Sequence, residues 1–328
     1  MARSIYSPAS LVICALLSSS VAFPQSVPTP TGPLRTGQVF LYSVRLRETT
    51  KVKTENVSSF GVPGNAVVDE RALLRMEVLS ADETNSGTSL RIRTSFKALS
   101  SSTRVKTGST MSPEEGRGRI GDKLFITAAI RSDGSIFDVE GLADLAPEQQ
   151  RLWRAWALNF ALAAVPVRKG STPGLATLAP EPESSSEFEG LSWTRELKAT
   201  GEQKCAGYSL GINPEPVKSS TLLGNCTKLT VTEKLLQAAA SVDQTPASYK
   251  ARNLRTSGTA RGQGETRVQV SNESGVIVSS DNEAETHMDV LMERTDSPDA
   301  IRYKVHTKTR VQVRLITDSL LVETNAKP

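Results

Sequence analysis

The chain has 328 residues, a formal net charge of +4, three cysteines and two histidines. This length is enough for one large domain or two ordinary ones. The near balance of 39 basic and 35 acidic side chains is unlike the strongly basic surface of a nucleic-acid-binding protein. So few histidines and cysteines exclude most metal clusters, zinc ribbons and haem motifs.

The first 22 residues have the three parts of a secretory signal peptide. Arg3 supplies a positive charge, residues 11–17 form an apolar run, and Ser20-Val21-Ala22 offers small residues at the cleavage position. The apolar run is much shorter than the ~20 residues of a spanning helix, and no later segment predicts a transmembrane helix. We therefore expect a signal peptide at 1–22, a Pro-rich tether at 23–36 and a soluble, secreted or periplasmic mature protein.

Removal of the signal peptide would take Cys14 with it and leave Cys205 and Cys226 as the remaining cysteines. Two cysteines in an exported protein are usually joined. A redox-active pair is the alternative, but the Cys-x-x-Cys spacing that lowers a thiol pKa is absent. The sequence therefore predicts a structural disulfide between Cys205 and Cys226.

Most of the remaining chain alternates apolar and polar side chains with the period of two that is typical of half-buried strands. The clearest runs are 40–46, 74–78, 90–92, 124–130, 229–231, 266–270, 276–278 and 303–315. Asp133-Gly134 marks a hairpin turn. The Gly-rich stretch 258–264 is not followed by a helical pattern, so we predict a hairpin loop there.

Helical periodicity is found only over 147–165. Pro147 and Glu148 suit the first turn of a helix, and Pro166 ends the pattern. The Pro-, Ser- and Glu-rich segment at 168–187 is predicted to be a mobile loop.

We therefore expect a single domain over 37–324 of the mainly β class (β-rich α+β). It is predicted to be a large curved antiparallel sheet or open barrel in two halves around one central apolar helix. The first half would be 37–140 and the second half 188–324.

The predicted helix is apolar nearly all round. Trp153, Trp156 and Phe160 share one stripe, and Asn159 is the only polar residue between positions 155 and 165. Such a helix is either buried on several sides or lies beside an apolar cavity. Trp153, Trp156, Phe160 and Leu162 are therefore the candidate residues for binding a lipid or other hydrophobic ligand. The alternative is that they only fill a core.

Motifs for catalysis or for a nucleotide cofactor are absent from the sequence. It has no Gly-x-Gly-x-x-Gly after a strand, no phosphate loop and no Gly-x-Ser-x-Gly. We therefore predict no catalytic residues, no cofactor and no enzymatic activity. The basic final strand lacks interleaved aromatic residues, so nucleic acid is not an expected partner.

Two stretches near the C-terminus, 283–289 and 304–310, place opposite charges on matching strand faces. A turn centred between residues 296 and 297 would align four pairs: Glu283 with Arg310, Glu285 with Lys308, His287 with His306 and Asp289 with Lys304. Cross-strand ion pairs account for this pattern. A metal or pH-responsive site at His287 and His306 is the alternative.

Two short motifs, Gly-Gln-Val-Phe-Leu-Tyr at 37–42 and Gly-Leu-Ser-Trp at 190–193, resemble the opening strand and the start of the second half of a group of uncharacterised exported bacterial proteins. The resemblance spans 37–316 and implies a β-rich fold with a central helical segment, without a known activity. By architecture alone, the chain is also similar to periplasmic lipoprotein carriers, in which a curved open sheet wraps apolar helices around an acyl-chain cavity.

The function predicted from the sequence is that of an exported, non-catalytic protein that binds a lipid or other hydrophobic ligand between its sheet and its central helix. The alternative is a structural or interaction module of the cell envelope with no small-molecule ligand.

Overall fold

The computed structural model describes residues 34–55, 64–84, 87–107, 110–116, 124–131, 136–164, 176–183, 187–188, 191–210, 214–217 and 224–317. The predicted signal peptide at 1–22 and most of the tether at 23–36 lie outside the described residues. Within the described residues, no helix is both long enough and apolar enough to cross a membrane.

Long strands dominate the secondary structure. The strands of the first half are β1 (Val39–Thr54), β2 (Asn65–Thr84), β3 (Gly87–Thr107), β4 (Thr110–Gly116), β5 (Ile126–Arg131) and β6 (Ile136–Glu140). Those of the second half are β7 (Ala176–Glu183), β8 (Leu191–Lys204), β9 (Gly207–Tyr208), β10 (Pro216–Val217), β11 (Asn225–Ala240), β12 (Leu254–Ser271), β13 (Ile277–Arg294) and β14 (Ala300–Leu315). The helix α1 (Pro147–Ala164) separates the halves, and a 3₁₀ turn (Val242–Gln244) and the short helix α2 (Ala247–Lys250) connect β11 to β12.

Twelve strands form one antiparallel sheet in the order β6-β5-β3-β2-β1-β14-β13-β12-β11-β8-β7, with β4 paired to β3. Neighbours in the chain are mostly neighbours in the sheet, as hairpin connections require. The two halves meet where β1 pairs with β14, for example at Val44 and Val313. Because β6 and β7 are separate edges, the sheet is open, and the predicted large antiparallel sheet in two halves is confirmed.

The two faces of the sheet differ in polarity. The inner face, against which α1 packs, carries Tyr42 and Val44, both without exposed surface. The outer face carries charged side chains, for example Asp69 between Arg45 and Arg71 at 2.7 and 3.1 Å. This difference follows from the period of two, since alternate residues of a strand point to opposite faces.

The inner face carries two separate apolar clusters. The helix-side cluster includes Tyr42, Leu74, Ile92, Trp156 and Val313. The far cluster includes Phe188, Trp193, Tyr249, Val290 and Tyr303. Burying each such large apolar side chain stabilises the fold by about 1.5–3 kcal/mol, so both ends of the long strands contribute to stability.

One strand lies within the segment predicted to be a mobile loop at 168–187. The strand β7 pairs with β8, with Thr177 opposite Glu196, and its register shifts between Leu178 and Glu181. Proline is tolerated on an edge strand because its missing N–H can face away from the neighbouring strand. An edge strand therefore replaces the expected loop over 176–183, whereas 168–175 and 184–186 lie outside the described residues.

The Gly-rich stretch 258–264 is not a hairpin loop. It lies inside β12, where a Cβ atom on Gly258 would be 1.9 Å from the carbonyl oxygen of Asp289 and one on Gly262 would be 2.5 Å from the Trp193 ring. These glycines therefore allow neighbouring backbone and side chains to approach the strand closely, and they do not form a turn. That prediction was wrong because sequence alone does not show what packs over a strand.

Candidate functional site

The aromatic residues of α1 pack against the inner face of the sheet. Trp153 and Trp156 have no exposed surface, and 2% of Phe160 is exposed. The Trp156 ring stacks on Phe160 with 5.0 Å between ring centroids, and the Tyr42 ring lies 5.8 Å from Trp156. The structure therefore brings these three candidate residues together, buried in the interface between helix and sheet. The side chain of Leu162, also on α1, lies outside the described residues.

Two polar atoms in this interface have no hydrogen-bond partner within the part of the chain that the structure describes. The Trp153 indole nitrogen donates to the Thr94 hydroxyl at 2.8 Å. The Trp156 indole nitrogen and the Tyr42 hydroxyl have no partner among the described residues, and burial raises the pKa of Tyr42 above its ordinary value. An unpaired buried polar group costs about 1–3 kcal/mol, so the contact between α1 and the sheet is less stable than a fully satisfied core.

A buried ion pair also joins α1 to the sheet. The Arg151 guanidinium donates to both carboxylate oxygens of Glu70, with 3.2 Å between Nε and Oε2. Glu70 on β2 has no exposed surface. Burial lowers the pKa of Arg151, and the neighbouring Glu48 carboxylate opposes this effect. Because a bidentate pair has a defined geometry, it fixes the first half of α1 over β2.

Glu48 on β1 is the second carboxylate near Arg151. Burial raises its pKa to about 7. Arg151 and a hydrogen bond with Thr309 lower this pKa, whereas the carboxylate of Glu187 raises it. Glu48 is therefore close to half protonated at neutral pH, and its protonated form can donate a hydrogen bond.

Glu48 begins a row of residues that crosses the inner face between the two apolar clusters. The strand register places this row in the order Glu48, Thr309, Ala284, Gly264 and Glu233. We call this row the polar belt. Its ends are carboxylates four strand spacings apart, about 19 Å along the sheet, and its centre has small side chains. Glu48, Thr309 and Ala284 are half-buried, so part of the polar belt is accessible although it lies on the inner face.

On the outer face, the predicted alignment of β13 with β14 is confirmed for all four pairs: Glu283 with Arg310, Glu285 with Lys308, His287 with His306 and Asp289 with Lys304. Glu283 and Glu285 form ion pairs with their partners at 3.3 and 3.5 Å. Asp289 instead contacts Arg302 at 2.8 Å. The charge pattern therefore matches the register, although one ion pair is diagonal.

The two histidines share one carboxylate. The His287 and His306 rings are stacked with 4.2 Å between centroids and 9° between planes. Both Nε2 atoms lie near the same oxygen of Glu285, at 3.0 and 2.5 Å. The described residues that could hold a metal ion are this group of three.

The predicted disulfide between Cys205 and Cys226 is confirmed, with 5.1 Å between the Cα atoms. Both cysteines are buried in the helix-side cluster. The bond joins the residue after β8 to the start of β11, two strands that already pair through Lys204 and Asn225. It therefore closes the segment between β8 and β11 onto the sheet.

Comparisons with known proteins give weak likenesses only. No family model matches the chain, and no curated protein matches it. A structure concerned with lipid–protein interactions in lipovitellin is similar over 86% of this chain, with a TM-score of 0.36 and 12% identity, and the chain spans 25% of the length of that one. The structure of OccAB4 from Acinetobacter baumannii is similar over 86% of this chain and 99% of its own, with a TM-score of 0.20 and 5% identity. These scores do not establish a shared fold.

Sequence reasoning missed Glu48, Glu70 and Arg151. A signal for the carboxylates is present, since Glu48 continues the inward positions that include Leu46, and Glu70 continues those that include Ala72. A charged residue at an inward-facing position of a strand must, when it is buried, be paired with an opposite charge or have a shifted pKa. Extending the run 40–46 by one inward position would have identified Glu48, and extending the run 74–78 backward by two inward positions would have identified Glu70.

Proposed function

We propose that this protein is an exported, non-catalytic binding protein that takes up a lipid or other amphipathic molecule on the inner face of its sheet, beside α1. Because of the motifs at 37–42 and 190–193, we also propose that this protein belongs with the exported β-rich bacterial proteins that it resembles.

The polar belt carries the proposal. A partly accessible row of small and polar residues lies between two apolar clusters, which is the arrangement that an amphipathic molecule requires. The polar group of the ligand would contact Glu48 and Thr309, and its apolar chain would extend under α1. Because Glu48 has a pKa of about 7, it can donate to or accept from an uncharged hydroxyl or ester group.

Binding under α1 requires the helix to separate from the sheet. Trp153 and Trp156 have no exposed surface, so an acyl chain must replace their contacts with the sheet. The Trp156 indole nitrogen and the Tyr42 hydroxyl have no hydrogen-bond partner among the described residues, and they lower the free energy needed for this separation where it lets water reach them. Arg151 contacts Glu70 beside Glu48, so the ion pair lies where the polar group of the ligand would enter.

Export is supported by the pattern of residues 1–22 and by the disulfide, which is typical of an oxidising compartment. Expression of the full chain in a bacterial host tests this part. We expect periplasmic protein that begins at Phe23, as read by N-terminal sequencing. Uncleaved protein confined to the cytoplasm would overturn it.

The three tryptophans allow ligand binding to be located. A Trp193→Phe variant keeps only the two tryptophans of α1, whereas a double variant, Trp153→Phe with Trp156→Phe, keeps only Trp193 in the far cluster. Each variant is titrated with a monoglyceride of dibrominated stearic acid, since bromine quenches tryptophan emission on contact. We expect strong quenching of the α1 pair, weak quenching of Trp193 and one bound lipid by native mass spectrometry.

Two outcomes contradict the proposal. Quenching of Trp193 alone would place the ligand at the far cluster. No bound mass and no quenching in either variant, with both proteins folded by circular dichroism, would instead support a structural or interaction module without a small-molecule ligand.

A further inference from the structure

On the outer face, side chains from two adjacent strands converge on one point. Glu285 and His287 lie two residues apart on β13, and His306 lies directly opposite His287 on β14. One ligand atom from each of these three residues lies within 4.8 Å of the other two. The sheet register fixes their backbone positions, so they are brought together before any ion binds.

The donor set suits a transition-metal ion. Two imidazole nitrogens and one carboxylate oxygen are a ligand set that zinc takes when it keeps a position for water. Bonds of about 2.0–2.1 Å in a tetrahedral site put ligand atoms about 3.3 Å apart. The present Nε2–Oε1 distances are 3.0 and 2.5 Å, so the carboxylate has to move outward by less than about 1 Å. Because the two rings are stacked nearly parallel, they also have to rotate so that both Nε2 lone pairs point at the ion.

The three side chains are accessible enough to move. The exposed fractions are 42% for His287, 29% for His306 and 31% for Glu285. Metal–nitrogen bonds would replace the present Nε2 contacts with Glu285, with the ring proton of each histidine located at Nδ1. This exchange leaves each imidazole neutral, as a metal ligand must be.

Nearby cations set the limit on affinity. Lys308 lies 3.5 Å from the second oxygen of Glu285, and Arg261 and Lys51 lie opposite His287 and His306 on the flanking strands. On β13 itself, Glu283 and Asp289 offset part of this positive charge. Lys308 is 61% exposed, so its flexible side chain can turn into solvent when a cation binds.

We propose that Glu285, His287 and His306 form a surface site for a divalent transition-metal ion such as Zn²⁺. The site bridges β13 and β14, so metal binding cross-links these strands on the outer face. It is separate from the inner face and does not depend on the proposed ligand.

Zinc titration by isothermal calorimetry tests the site, with purified protein in which the Cys205–Cys226 disulfide has formed and which carries a histidine-free tag. We expect one Zn²⁺ per chain at neutral pH and at least tenfold weaker binding in His287→Gln and in His306→Gln. Glu293→Gln is the matched control, because Glu293 is exposed on the same face of β13, six residues and about 20 Å from His287, and it should retain full affinity. Binding should weaken in acid, since a protonated imidazole has no lone pair for the metal.

Electron paramagnetic resonance with Cu²⁺ supplies a second readout. We expect hyperfine coupling to two imidazole nitrogens, which would fall to one in either histidine variant. The absence of binding heat in the unsubstituted chain, or equal affinity in both histidine variants and the control, would overturn the proposal.

Discussion

Replacing Arg151 with Met should destabilise the protein strongly, because it leaves a carboxylate without its charge partner in the core. Glu70 has no exposed surface, whereas 14% of the Arg151 side chain is exposed. Removing one partner of a buried ion pair costs about 3–5 kcal/mol. The partial exposure of Arg151 lets water approach Glu70 in the variant, so we expect the lower end, about 3 kcal/mol.

The reverse change, Glu70→Gln, should cost less. The Arg151 guanidinium lies nearer the surface and can turn toward water, so we expect a loss of about 1–2 kcal/mol. The double variant, Arg151→Met with Glu70→Gln, removes both charges. Its loss of stability should therefore be smaller than the sum of the two single losses by about 2 kcal/mol or more.

Urea unfolding followed by tryptophan emission measures these effects, since Trp153 and Trp156 lie on the same helix as Arg151. In Arg151→Met the loss should be smaller at pH 5 than at pH 8, because acid favours the neutral form of a buried carboxyl group. Arg267→Met is the control, since its ion pair with Glu265 is exposed, and its effect should stay within about 0.5 kcal/mol. Equal losses in Arg151→Met and the control, or strict additivity in the double variant, would refute the reasoning.

Three further predictions concern other parts of the fold. Replacing Cys205 and Cys226 with Ser opens a loop of sequence separation 21 and should lower the free energy of unfolding by about 3 kcal/mol; an unchanged urea midpoint under non-reducing conditions would contradict this. Gly262→Ala puts a Cβ atom 2.5 Å from the Trp193 ring and should lower the free energy of unfolding by about 1–3 kcal/mol. In a variant that retains only Trp193, the same substitution should shift the tryptophan emission. Unchanged stability and emission would show that the ring moves freely. For Glu48, the pKa of about 7 in the folded state exceeds the ordinary 4.5, so between these two pH values the folded state binds more protons than the unfolded state. The free energy of unfolding should therefore fall as pH rises through this interval, by about 1.4 kcal/mol per unit of pKa difference. Glu48→Gln should remove this slope from the pH dependence of unfolding, and a slope that persists in the variant would assign it to another group.

The predictions from the sequence were most accurate where neighbouring residues determine the structure. The helix α1 begins at the predicted Pro147, which suits a first helical turn, and is helical to Ala164, the last described residue of the predicted range 147–165. The pairing of His287 with His306 followed from charge complementarity between two strands joined by a short turn. The disulfide followed because export would leave Cys205 and Cys226 as the available pair.

The contacts of the candidate site are long-range. Arg151 meets Glu70 across 81 residues, and Glu48 is aligned with Thr309 only because β1 pairs with β14. No local pattern predicts that the first and last long strands are neighbours. The same holds for Gly262, where glycine is needed because a Cβ atom would clash with the Trp193 ring.

Composition and periodicity by themselves determined the mainly β class, the single long helix and the division into two halves, since these depend on alternation and on proline within short windows. Only the tertiary structure decided that the aromatic stripe of α1 is buried against the sheet and that a polar belt crosses the inner face beside it. Burial is the physical reason: it raises the pKa of Glu48 and makes the pair of Arg151 with Glu70 energetically significant, and burial is a property of the assembled sheet and helix.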